Sequence, residues 1–191
     1  MKALLACLMC LLLPVAECFA LKGGPVYRGN SANVVGTYSG IVQGVFDPTN
    51  PRSSNTLGLF SVAVPQSGLA SGVVVIFAAG RAFTGTMSGV ADPNKSNLRA
   101  VIQSTTTTSL ILCTSSGTPT SQDVIDRADG NLSASIRGNA NVQTSITATL
   151  LIGTSLLNAT QSVKDPNSCQ NVIQTTFSLS LLVDGFKQTN S

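Results

Sequence analysis

Apolar and polar residues alternate at period two over much of the chain, the spacing of strands with one buried face. The cleanest case is late in the sequence. Val142, Thr144, Ile146, Ala148, Leu150 and Ile152 form one face, opposite Gln143, Ser145, Thr147 and Thr149. Ile173, Thr175, Phe177, Leu179, Leu181 and Val183 repeat the arrangement, opposite Gln174, Thr176, Ser178 and Ser180. Further strands are predicted over 57–64, 71–78, 97–105, 109–114, 130–138 and 155–163. No segment of similar length carries a helical stripe, and 121–128 reads as a single helical turn or a loop.

Turn chemistry separates these runs. Asp47-Pro48, Asp92-Pro93 and Asp165-Pro166 each join an Asx side chain to a proline suited to the second position of a turn. The first two close copies of one phrase, Thr37 to Pro48 and Ala82 to Pro93, 45 residues apart. Within each copy an aromatic (Tyr38, Phe83) and two glycines (Gly40 and Gly44, Gly85 and Gly89) share one face of a strand. Gly lets such a strand bend and the ring covers the gap. A worn third copy precedes Asp165, with Leu156 at the aromatic position and Asn158 and Ser162 at those of the glycines.

The stretch Gly58-Leu-Phe-Ser-Val-Ala-Val64, then Ser67-Gly-Leu-Ala-Ser-Gly-Val-Val-Val-Ile-Phe77, then Gly80-Arg-Ala-Phe-Thr-Gly85 resembles the glycine-punctuated strand modules of uncharacterised secreted proteins of environmental bacteria. The likeness covers roughly residues 35–103. It implies an antiparallel, barrel-like meander and no known activity, and it brings no functional residues with it.

The first twenty residues change the picture. Met1-Lys2, an apolar run from Ala3 to Val15, and Cys18-Phe-Ala20 have the layout of a secretory signal cleaved after Ala20. A lipoprotein box at Cys7 or Cys18 fits less well, because too few residues precede Cys7 and Glu17 precedes Cys18. Without that leader the chain keeps ten Lys and Arg, seven Asp, and no His, Trp or Glu. The positive charge is too weak and scattered for a nucleic-acid partner. Catalysis through a Ser-His or Cys-His pair, a histidine-held metal or a glutamate acid is excluded. Cys113 and Cys169 remain as an even pair, read as a disulfide, with two separate thiols as the alternative.

The smaller constellations have modest readings. Asp123, Asp126 and Asp129 lack the alternate spacing of a calcium loop and read as turn acids. The hydroxyl run from Gln103 to Ser109 reads as an exposed strand edge or loop. No spacing supports a Ser paired with Lys164 or Lys187 as nucleophile and base. Phe46, Phe60, Phe77, Phe83 and Phe177 are assigned to core filling rather than to a ligand cavity.

The expectation is an all-β, single-domain antiparallel meander: a closed or partly open β-barrel of about 8–10 strands. Residues 1–20 are read as the signal peptide, 21–33 as an N-terminal extension and 34–187 as the barrel-like domain. Two tyrosines and no tryptophan make poor girdles for an outer-membrane barrel, so the apolar faces are expected inside and a membrane partner is not. The expected role is a secreted or periplasmic structural or surface-interaction module, without catalysis, cofactor or metal. It would meet an extracellular surface, a matrix component or another copy of itself. The alternative is a soluble carrier with a small hydrophobic ligand inside the barrel.

Overall fold

The computed structural model describes residues 34–114, 117–141 and 146–188. The expected leader, the extension and residues 142–145 lie outside them. Eight strands run in chain order: β1 (Gly36–Gly44), β2 (Leu57–Val64), β3 (Leu69–Ala78), β4 (Arg81–Asp92), β5 (Asn97–Leu112), β6 (Thr120–Asn141), β7 (Ile146–Lys164) and β8 (Val172–Lys187). Each pairs antiparallel with its sequence neighbour, and β8 returns to β1, so the barrel sheet is a closed meander. The chain is an all-β, eight-stranded antiparallel barrel.

Several predicted runs merge. The segments 97–105 and 109–114 run together in one strand, β5, which stops at Leu112, and the hydroxyl run crosses its middle with Ser104 buried and Thr105 exposed. The segment 121–128 is strand rather than helical turn or loop. Val124, Asp126 and Ala128 share a face there, and the Thr-rich half of β5 supplies a continuous partner. Of the face predicted for residues 142–152, positions 142–145 lie outside the described residues, and over 149–152 the face is reversed. Leu151 and Leu157 are buried in β7, whereas Ile152 and Leu156 are exposed, so the even positions point outward. Apolar side chains stand on both faces of β7, at Leu150, Leu151 and Ile152 and again at Leu156 and Leu157, which removes the contrast that alternation relies on.

The interior is filled by its own side chains. Tyr38, Phe60, Phe83, Ile76, Met87, Leu98, Ile102, Leu132, Leu157, Leu179 and Leu181 are among the fully buried residues of one hydrophobic cluster. The stagger explains why this suffices. Paired residues followed from Gly40 run through Phe60, Val74, Gly85, Ser104, Ala128 and Ala159 to Phe177. The register of the last pairing then returns to β1's line about eight residues further on. Eight strands with that stagger make a narrow barrel whose interior is just wide enough for side chains. The ring just traced sets Phe60, Val74 and Phe177 beside Gly, Ser and Ala, so the large groups have small ones to pack against.

At one end the sheet divides into two arms. β4 accompanies β5 only as far as Thr105, and β7 accompanies β6 only from Ala128. Beyond those points Thr106–Leu112 pairs with Thr120–Asp126 alone, and Thr160–Lys164 with Val172–Thr176 alone. The β1–β2 connection covers the same end with α1 (Pro51–Ser54), a turn of helix that the sequence reading missed although Pro51 stands at its start. Buried Ser53 extends the β8 pairing beyond Gly44: its Oγ donates to the Ser180 carbonyl at 3.1 Å and accepts from the Ser180 amide at 2.9 Å.

Candidate functional site

The two similar phrases place their aromatics and first glycines alike, although β1 ends at Gly44 whereas β4 runs on to Asp92. Tyr38 in β1 and Phe83 in β4 are fully buried. Gly40 and Gly85, two residues on, are pressed against the neighbouring strand: an added Cβ would collide with the Asp184 carbonyl at Gly40 and with the Gln103 carbonyl at Gly85. Gly89 likewise meets Arg99 and Ala100, while Gly44 meets Ser53 of α1. The Asp-Pro signals form Asx turns. Asp47 Oδ1 accepts from the Thr49 amide, Asp92 Oδ1 from the Asn94 amide and Asp165 Oδ1 from the Asn167 amide, at 2.8–3.0 Å. Those hydrogen bonds hold the Asp47 carboxyl below its ordinary pKa, the Thr49 hydroxyl contributing most. Pro48 and Pro93 follow in the same turns. The expected third copy does not share the strand placement, because Leu156 is 58% exposed on the outer wall where the two aromatics face inward.

A disulfide joins Cys113 to Cys169, and the Cys113 amide donates to the Cys169 carbonyl at 2.9 Å. It ties the tips of the two arms together. At their base stands the most buried charge pair among the described residues. The Arg81 guanidinium meets Asp126, whose side chain is 0% exposed against 13% for Arg81. Asp126 Oδ1 also accepts from the Ser162 amide at 2.8 Å, and Arg81 Nη2 donates to the Ser162 carbonyl at 2.6 Å. The Arg127 amide donates to Thr160 Oγ1 at 3.0 Å. Side chains thus carry the hydrogen bonding where the β6–β7 ladder stops. Burial pulls the Arg81 pKa below its ordinary value.

The three spaced aspartates do not gather. Asp126 points inward to Arg81. Asp123 and Asp129 stand on the opposite face of β6, where Asp123 accepts from the Ser109 hydroxyl and Asp129 from the Ser104 amide at 3.0 Å. Among the described residues no group of three His, Cys, Asp or Glu could hold a metal. The phenylalanines divide: Phe60 and Phe83 fill the core and Phe177 packs against it, but Phe46 is 80% and Phe77 44% exposed. Core filling is therefore corrected for these last two, which lie where the strands meet the loops over the armed end.

Two hollows open on the outside. One, of about 790 Å³, lies between α1 and the β3–β4 turn and is lined by Arg52, Phe77, Arg81 and their neighbours. The other, of about 710 Å³, crosses the outer wall of β4 to β7 between Val90, Val101, Asn131 and Leu156. The rest of the outer wall is two-sided. Thr84, Thr86 and Ser88 of β4, Gln103 and Thr105 of β5, and Asn131 and Ser133 of β6 give one side amides and hydroxyls, set among exposed Val90, Val101, Ile111 and Ile125. Ile152 and Leu156 of β7, Leu182 and Phe186 of β8, Ile41 of β1, Leu57 of β2 and Phe77 of β3 give the other exposed apolar groups. Sequence reasoning had assigned apolar residues to the inside and missed this second set. Comparison of the chain with protein-family models, with curated proteins and with solved structures gives no match in any of the three.

Proposed function

We propose that this protein is an exported, non-catalytic interaction module that works through its outer wall. The observation that carries the reading is the contrast between a barrel filled with its own side chains and a wall that exposes an apolar sector over β7, β8, β1, β2 and β3. Exposed apolar groups on adjoining strands mark contact surfaces in soluble proteins. The register sets them close together around one polar residue: Leu182 and Leu57 both pair with Gln43, and Leu57 pairs with Phe77. The partner is an extracellular surface, a matrix component or a second copy of the chain.

Export is supported by the disulfide, which persists in oxidising compartments, and by the leader-like opening of the sequence. No helix among the described residues is long and apolar enough to cross a membrane. The amide- and hydroxyl-covered sector of the wall argues against a barrel ringed by lipid. A carrier with its ligand inside would need the space that the buried core residues occupy.

The test replaces Ile152, Leu156 and Leu182 with Ser together and compares secreted protein retained on the producing cell and its matrix with protein free in the medium. The triple variant is expected to fold and to pass into the medium. Equal retention of wild type and a folded variant contradicts the reading, as does turnover of a substrate by the purified wild type.

A further inference from the structure

The groove at the armed end sets cationic and apolar side chains together. Its lining brings together two guanidinium residues, Arg52 and Arg81, with Pro51, Phe77, Ala78 and Ala82, and includes no carboxylate side chain. The two cations differ in what they have left to offer. Arg81 is engaged with Asp126 and with the Ser162 carbonyl, so it contributes shape rather than net charge. Arg52 has no carboxylate partner among the described residues. It is held instead by stacking on the Phe177 ring, 4.6 Å from ring centroid to guanidinium carbon. The stack fixes one face of the fork and leaves its edge for hydrogen bonding. Phe77, nearly half exposed, supplies apolar surface within the same groove.

We propose that this groove binds a small organic anion: a carboxylate carrying an apolar group. The carboxylate takes the edge of the Arg52 fork, the arrangement in which guanidinium and carboxylate make two parallel hydrogen bonds. The apolar part lies along Phe77, Ala78 and Ala82. The volume of about 790 Å³ is in the range of small-molecule sites. The site borders the outer-wall sector at Phe77, but Ile152, Leu156 and Leu182, the residues replaced to test that contact, lie outside it, and ligand here leaves the barrel interior filled.

The experiment is an amide NMR titration of the oxidised full chain with octanoate, and in parallel with octanol and inorganic phosphate. Octanoate is expected to shift the amides of Arg52, Asn55 and residues 77–82, with octanol and phosphate each much weaker. Arg52→Gln is expected to weaken octanoate about tenfold, as loss of a charge-assisted contact does. Arg52→Lys, which keeps the charge but loses the fork, falls between, and it serves if the Gln variant does not fold. Arg99→Gln, in the other hollow, leaves binding unchanged. The proposal is overturned by no shifts, by shifts centred elsewhere, by octanol or phosphate matching octanoate, or by undiminished binding in both Arg52 variants.

Discussion

Asp126 shows how much one residue can hold at the point where a sheet divides. Its carboxylate is fully buried and answers both Arg81 and the Ser162 amide, so removing it leaves a buried cation and an unpaired donor. Asp126→Ala is expected to cost about 3–5 kcal/mol, and Arg81→Met with Asp126→Leu much less, because the pair leaves together. Denaturant unfolding of the three proteins measures this, and equal losses would contradict it. Tyr38 acts on the alkaline side. Burial pushes its phenol up to about 12 from 10.0, while its hydroxyl donates to the Val34 carbonyl at 2.8 Å. The unfolded chain therefore loses this proton first. The contribution is whole below pH 10 and declines as pH rises towards 12. Tyr38→Phe should lower stability at pH 7 by about 1 kcal/mol and flatten the alkaline decline. An unchanged slope in the variant would show that Tyr38 does not cause it.

Among the elements, the arms differ from the barrel because each of their strands has one neighbour rather than two. Their order therefore depends on the Cys113–Cys169 tether and on the Arg81–Asp126 base. A disulfide spanning 56 residues stabilises by about 4 kcal/mol in the chain-entropy model. Cys113→Ala with Cys169→Ala is expected to lower stability by up to that amount. Hydrogen exchange should quicken first in 106–112, 120–126, 160–164 and 172–176, with β1 to β4 least affected. Uniform quickening over the whole barrel would mean that the arms are not a separate unit. The arms also mark where sequence reading falters. Short runs such as Leu57–Val64 are bounded by turn residues and appear as predicted, and the three Asp-Pro signals become Asx turns. The long strands do not announce their length. Ser, Thr and Asp in 103–109 and 121–128 resemble loop composition, and only the pairing of one with the other makes them strand.

For the whole molecule, closure follows from a meander whose last strand matches its first, and filling follows from the stagger. Antiparallel order and the buried aromatic-glycine face were legible, because they rest on local alternation and small-residue spacing. Arg81 meeting Asp126 was not, since the two are brought together by the division of β6 from β7 and no local signal carries that. The exposed apolar sector was hidden for a related reason. Alternation indicates two faces but names the inner one only by contrast, and β7 is apolar on both.

The barrel is closed over its own side chains, and the proposed contact lies on its outside. Native mass spectrometry of oxidised protein, purified without denaturant and read beside a free-thiol count, tests it most directly. The expected result is the mass of the bare polypeptide with no free thiol at Cys113 or Cys169. A tightly held apolar molecule that leaves only on unfolding would contradict it, because the buried core side chains leave no room for one.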